Sequence, residues 1–516
     1  MSRSLVTASI VTSLLALAGC ATPALPAQGP LPGQHASAAA VRFTTDSEAD
    51  AQKRARLLAT RPAVEKLLRD EAARTGIPSL SFGLVFHGEL VYSVGVGQRT
   101  AAGGEVDADT VYRIGSITKT FTGLALLSLR DAGKIGLDDP VSRFIPEIES
   151  AKMPTSDGGP VRIRHLVTHT SGMPRLGKLN YATGHVMDEK ELVNAAAQVK
   201  LDTAPGTRAL YSNLAMALGG LVVGRASGEG LRSYMQHAIF DPLGMRATVW
   251  DQTSVPADKL AEGYENKDHK FVPCGPHWRM GAAEGMGGLY SSVRDLSRYV
   301  AFELSAWPPR DDAEVGPVRR SSVRESQLIA GPLRATNEGF GVNWIVKTEP
   351  KLGYVVFHNG GTEGYHSAIW MAPERATGAI GLAPGASEID GITHKALELA
   401  LAGELGPPPA PPLGGPAKVA LDRIRTLFKE PSKDLVEKMF TPSFLQQAPP
   451  EKVLEIVRSV LDQAGPCKVD KPMAGDSPGS ATAKLECKGG TFTLLLDAQT
   501  EPPHLIQAFL IKPPGS

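Results

Sequence analysis

The chain has 516 residues, with 54 basic and 54 acidic side chains, so its formal charge is zero. That balance removes the electrostatic basis for binding nucleic acid or an anionic surface. The length exceeds what one core usually supports, so more than one folded unit is expected.

Read from the N-terminus, Arg3, the apolar run from Leu5 to Ala18 and the closing Leu17-Ala18-Gly19-Cys20 form an export signal. The run is too short to span a bilayer comfortably, which favours a cleaved signal peptide over residues 1–20. Its ending resembles a bacterial lipoprotein lipobox. That resemblance implies lipidation of Cys20 and a tether to the cell envelope, in the periplasm or at the outer membrane. Residues 21–53 are rich in Ala, Pro, Gly and Ser and poor in large apolar groups, so a flexible stalk is expected there.

Folded sequence is expected from residue 54, where Leu57, Val64, Leu67 and Leu68 carry a helical period. Ser79 to Phe86 and Leu90 to Val96 are β-rich runs around His87-Gly88-Glu89, which predicts a hairpin. Val111 to Ile114 reads as extended, Gly115 breaks it, and Phe121, Leu124, Leu127 and Leu129 open an apolar helix ending at Gly133. A second helix of small and apolar residues runs from Leu214 to Val223, and Gly353 to Phe357 is strand-like. The Pro/Gly-rich stretch at residues 406–415 is a spacer between residues 54–405 and a C-terminal unit over residues 416–516. In that unit Ile424, Leu427 and Phe428 mark one helix, and Val453, Ile456, Val457 and Val460 another. Runs at Ala481 to Cys487, Thr491 to Leu496 and Leu505 to Ile511 read as strands, giving a small α+β domain. Cys467 and Cys487 could pair in an oxidising compartment, whereas Cys274 has no obvious partner and reads as a small buried hydrophobe.

Three short motifs carry chemistry. Ser116-Ile117-Thr118-Lys119 puts a hydroxyl at a helix start and an amine one turn on, on the same face. Alone it is weak, because a chain of this length holds roughly one or two such matches by chance, and a serine there is often only an N-cap. Tyr211-Ser212-Asn213 follows Pro205-Gly206 and precedes an apolar helix. A buried tyrosine beside a lysine is a candidate general base; the competing reading is a core tyrosine with a partnered hydroxyl. His358-Asn359-Gly360-Gly361 ends a strand-like run with two glycines, which let another backbone or a ligand approach closely.

In this order and spacing, the three motifs resemble the serine β-lactamase and penicillin-binding family. The likeness is to its class C, D,D-carboxypeptidase, D-aminopeptidase and esterase branch, over roughly residues 55 to 405. His165-Leu166-Val167-Thr168-His169-Thr170-Ser171-Gly172 and Gly287-Gly288-Leu289-Tyr290-Ser291-Ser292 match the same family. The resemblance implies an α+β catalytic domain: an antiparallel sheet flanked by helices, plus a mainly helical region that carries Tyr211. It implies Ser116 as nucleophile and Lys119 with Tyr211 as proton carriers. Asn213 would bind the lysine and the substrate, and the N–H groups of Ser116 and Gly361 would form an oxyanion hole. His358 and Asn359 stand where many β-lactamases have lysine and threonine, which alters recognition of a substrate carboxylate.

The expected activity is therefore acyl transfer to water from an amide or ester, as in a peptidase or esterase. A β-lactamase and a weakly catalytic penicillin-binding receptor are the alternatives. His165 and His169 stand four apart but lack the glutamate of a zinc-protease helix. The chemistry requires no metal and no organic cofactor. Lys347-Thr348-Glu349 lacks the glycine of a K-T-G motif, and Tyr264-Glu265-Asn266 lies in polar sequence that reads as a solvated loop.

Overall fold

The computed structural model describes residues 48–512 apart from 180–184, 268–269, 276, 312, 315, 334–337, 387, 404–414, 475–479 and 500–501. The export signal, Cys20 and nearly all of the expected stalk and linker lie outside the described residues. The last part of the expected stalk is helical: α1 spans Glu48–Ala59, with Glu48 and Asp50 in its first turn, where they complement the helix dipole. His87 and Glu89 of the first hairpin hold it through Asp50 and Arg54. Helix α2 follows at Arg61–Thr75.

A subset of the elements that follow builds the main sheet and the helices around the site. They are β1 (Ser79–Phe86), β2 (Glu89–Gly97), α3 (Thr118–Asp131), α4 (Asn213–Ser227) and α5 (Val293–Leu304). Then come β3 (Gly331–Pro332), β4 (Glu338–Phe340), β5 (Ile345–Glu349), β6 (Gly353–Thr362), β7 (Tyr365–Ala372), β8 (Thr377–Pro384) and α6 (Ile389–Leu401). The eight strands make one antiparallel sheet in the order β2-β1-β8-β7-β6-β5-β4-β3.

Both faces of this sheet are covered, so β1 and β8 are buried along their whole length. Strand residues alternate between faces. Val355, Phe357, Ala368 and Trp370 pack with α1, α2 and α6 in the back core. Val356, Ile369 and Met371 pack with α3, α4, α5 and the helical region in the front core. Tyr264-Glu265-Asn266 is a strand, Tyr264–Lys267, paired with Lys270–Pro273 rather than a loop.

The C-terminal residues build a separate core from helices Gly415–Lys429 and Pro450–Ala464 and a four-stranded antiparallel sheet. Its strands are Cys467–Ala474, Ser480–Cys487, Gly490–Ala498 and Ile506–Lys512. Cys467 and Cys487 face each other across the first pair and form a disulfide. Cys274 is free and partly buried against Gly263 and Gly364. No helix among the described residues is long and apolar enough to cross a membrane.

Candidate active site

Ser116 sits in the 3-10 turn Gly115–Ile117 that leads into α3. The turn requires φ = 50° at Gly115, a left-handed conformation that glycine adopts without a Cβ penalty. Neither the turn nor α3 has a side-chain cap, so Ser116 is not spent on capping and its partly exposed hydroxyl is available. Lys119, one turn on, points back: Nζ lies 2.9 Å from Ser116 Oγ and 2.5 Å from the Met286 carbonyl oxygen.

Lys119 is fully buried. Burial, and then the positive charge of Arg175, hold its pKa well below the ordinary lysine range. A buried ammonium without a carboxylate partner is costly, and release of a proton relieves that cost. The neutral amine beside Ser116 Oγ is then able to accept the hydroxyl proton.

Tyr211 stands immediately before α4, whose N-cap is Ser212. The Ser212 hydroxyl accepts from the Ala215 N–H at 3.0 Å and donates to the Pro174 carbonyl at 2.9 Å. The Tyr211 ring lies beneath the Lys119 amine, with Nζ 5.1 Å from its centroid, and beneath the Arg175 guanidinium, with Cζ at 5.0 Å. The rings of His169 at 4.4 Å, Phe340 at 6.1 Å and His358 at 6.3 Å complete its surroundings. The S-x-x-K, Y-x-N and H-x-G segments thus converge on one site from three distant parts of the chain.

Sheet geometry presents the third motif. β5 pairs with β6 only over Gly353 to Phe357, so the segment from His358 to Thr362 projects past it while still paired with β7. A Cβ at Gly360 would lie 2.1 Å from the Ile114 carbonyl oxygen and 2.4 Å from Ser367 Oγ. The missing side chain is what lets β6 press against the segment carrying Ser116. The backbone of Gly361 lies correspondingly close to Gly115.

Two expected contacts are arranged differently. Asn359 follows Val355 and Phe357 onto the back face, where its Nδ2 donates to Asp390 Oδ2 of α6 at 3.1 Å. Its side chain therefore faces away from the cleft, and only His358 and Gly360 of that motif face the front. Asn213 Oδ1 is buried with no hydrogen-bond partner, so it does not receive the Lys119 N–H expected of it. The Met286 carbonyl takes that place. Lys347-Thr348-Glu349 lies in β5, where Lys347 pairs with Glu349 and covers the rings of Phe357 and Trp370.

His169, Arg175, Phe340 and Met286 are site components that the three motifs did not name. His169 Nδ1 accepts from the Ser212 N–H at 3.2 Å, and the Arg175 carbonyl accepts from the Asn213 N–H at 2.7 Å. These bonds fix the turn that aims Tyr211. The family segment around His169 was a signal for the first of them, whereas the Met286 carbonyl had none. His165 is remote in role, since its Nδ1 accepts from the Arg162 N–H at 3.1 Å at the start of helix Ile163–Val167.

The chain matches known proteins over this region. The Beta-lactamase family model matches residues 64–403. Over 280 residues it is 29% identical to D-alanyl-D-alanine-carboxypeptidase/endopeptidase AmpH of Escherichia coli, covering 53% of this chain and 70% of that protein. It is 26% identical over 322 residues to protein flp of Staphylococcus aureus, covering 62% of each chain. The fold is similar to that of the octameric penicillin-binding protein homologue from Pyrococcus abyssi. There the TM-score is 0.56 at 23% identity, over 85% of this chain and 91% of that one. A β-lactamase/D-alanine carboxypeptidase from Pseudomonas syringae superposes with a TM-score of 0.54 at 22% identity, over 67% of this chain and 99% of that one. With its Ser116 turn, buried lysine and glycine-edged strand, the chain belongs to the Beta-lactamase family and is a serine hydrolase of that family.

Proposed function

We propose that this serine hydrolase works through an acyl-enzyme on peptide amides or esters, as a peptidase or esterase of the penicillin-binding type. The observation that carries the reading is a desolvated lysine amine 2.9 Å from Ser116 Oγ. Ser116 Oγ bonds to the substrate carbonyl carbon while its proton passes to Lys119 Nζ. The resulting oxyanion faces the N–H groups of Ser116 and Gly361, where loss of one donor typically costs about a hundredfold or more. Collapse breaks the C–N or C–O bond, and the leaving group takes the proton back from the Lys119–Tyr211 pair. Water then repeats the sequence on the acyl-enzyme and releases the acid.

A peptidase or esterase fits the third motif better than a β-lactamase does. Burial, and then the charge of Lys119, push the pKa of His358 down to about 3. The ring is therefore neutral and supplies no cation for the carboxylate that β-lactams carry. The endopeptidase part of the Escherichia coli relative's name points the same way. We place the enzyme at the cell envelope, in the periplasm or at the outer membrane, tethered through lipid on Cys20. Labelled palmitate incorporated by the native chain and lost in Cys20→Ala tests that placement.

Turnover of short nitrophenyl esters, D-alanyl anilides and a chromogenic cephalosporin tests the activity. Hydrolysis of the first two with little of the third is expected. The reverse order would make the protein a β-lactamase, and acylation by a fluorescent penicillin without turnover would make it a receptor.

A further inference from the structure

The back face of the sheet, opposite the core that holds α3, carries a second cluster of polar side chains. On α6, Asp390, His394 and Glu398 recur every fourth residue and so share one face. Asp390 is already occupied: its two oxygens accept from Trp370 Nε1 at 2.9 Å and from Asn359 Nδ2 at 3.1 Å. The other two meet Glu349, which ends β5 on the same face as Lys347. His394 Nε2 lies 2.8 Å from Glu349 Oε2, and its ring packs 4.4 Å from that of Trp370. One donor atom from each of Glu349, His394 and Glu398 lies within 4.8 Å of the other two. No other such group of three His, Cys, Asp or Glu side chains exists among the described residues.

These donors are partly withdrawn from water, with side chains 14% exposed at Glu349, 22% at His394 and 24% at Glu398. Two stand on adjacent turns of a helix and the third on a strand, so their backbones are fixed. Glu349 divides its oxygens: Oε1 accepts from Lys347 Nζ at 2.8 Å, which leaves Oε2 directed at His394. Lys347 is itself held over the rings of Phe357 and Trp370, and it orients the carboxylate as the outer partners of metal ligands do. Glu398 pairs with Lys351 at 3.2 Å, but that lysine is 67% exposed and turns to water at little cost.

A set of one imidazole and two carboxylates suits zinc, whereas calcium and magnesium take oxygen ligands. Bonds of about 2.0–2.2 Å place the donors around a zinc ion roughly 3.3 Å apart, so small side-chain rotations close this group on one ion. We infer that Glu349, His394 and Glu398 form a structural zinc site that fastens α6 to β5, with solvent as the fourth ligand. The ion takes the place of the hydrogen between His394 Nε2 and Glu349 Oε2, and the ring keeps its proton on Nδ1. The site secures the helix that anchors Asn359 and Trp370 through Asp390, and it takes no part in acyl transfer.

Calorimetric titration of the chelator-treated full chain with zinc chloride is the test. Binding of one zinc per chain is expected. His394→Ala is expected to weaken it by at least about a hundredfold, more than the usual loss of a group that only orients a ligand. Glu398→Gln, which keeps the side-chain shape, gives the same readout if His394→Ala fails to fold. His237→Ala removes an exposed histidine that pairs with Glu229 and is expected to bind zinc like the wild type. Zinc is also expected to raise the urea-unfolding midpoint of the wild type and to leave that of His394→Ala unmoved. Absence of a one-to-one site in the wild type, or undiminished zinc affinity in the folded variants, overturns the inference. Ser116→Ala is expected to bind zinc normally, so the zinc site and the acyl-enzyme reading fail separately.

Discussion

Gly360→Ala is a quantitative probe of how tightly β6 is seated against the turn that carries Ser116. The added Cβ would lie 2.1 Å from the Ile114 carbonyl oxygen, a backbone atom, where real Cβ contacts essentially never fall below 3.0 Å. Restoring the minimum contact moves one backbone relative to the other by about 0.9 Å, and no flexible side chain can absorb that movement. Ile114 is two residues before Ser116, so the displacement reaches the pairing of Ser116 with the oxyanion donors. A misplacement of about 1 Å typically costs on the order of a hundredfold in rate. The assay is kcat/KM on a nitrophenyl ester beside the urea-unfolding midpoint. Gly391→Ala on α6, where the new Cβ meets nothing within 4 Å, is the control. Gly360→Ala is expected to lose about a hundredfold in kcat/KM while remaining folded, and Gly391→Ala to keep wild-type activity. Wild-type kcat/KM in Gly360→Ala would refute the claimed close approach.

Four further outcomes follow from the electrostatics and the strand register. In the proposed mechanism Lys119 acts as the unprotonated amine, so kcat/KM should stay on a plateau well below pH 10.5, its ordinary value, and fall only as pH drops through the lowered pKa. Arg175→Gln removes one depressing charge and moves that acidic limb upward, by less than about one pH unit because Arg175 is exposed and screened; an unmoved limb contradicts the coupling. Glu303, buried in α5, has its pKa pushed up to about 7 from 4.5 by burial. Its folded form binds the proton more tightly than its unfolded form does. The associated stability is present in full below pH 4.5 and lost as pH rises through 7, a difference on the order of 3 kcal/mol. Glu303→Gln should flatten that pH dependence in urea unfolding, and an unchanged slope would refute the assignment. Asn359→Ala breaks an outward bond to Asp390 and should cost about 0.5–1.5 kcal/mol of stability without altering kcat/KM on a nitrophenyl ester. A large loss of kcat/KM in a folded variant would put Asn359 back in the cleft.

Local pattern made much of this legible. The helix that carries Ser116 and Lys119 shows itself by its apolar period and by Gly115, and the hairpin at β1 and β2 by its turn residues. The direction of Asn359 was also within reach, because Val355, Phe357 and Asn359 alternate onto one face of a strand. The motif resemblance outweighed that alternation. Other parts rest on contacts between distant segments that no local pattern encodes. Met286 is 167 residues from the lysine it holds, and a backbone carbonyl leaves no side-chain signature. Arg175 reads as an ordinary surface arginine until the fold lays it over Tyr211. Helix α1 began earlier than expected because its first turn has few apolar residues. Its acidic residues find partners only once the hairpin is built.

The central claim is that Ser116 becomes acylated, and the most direct measurement is mass spectrometry of the protein quenched during turnover of a slow ester. The account predicts one added acyl group on the peptide containing Ser116, absent in Ser116→Ala together with turnover. An adduct on any other residue, or undiminished hydrolysis by Ser116→Ala, would contradict it.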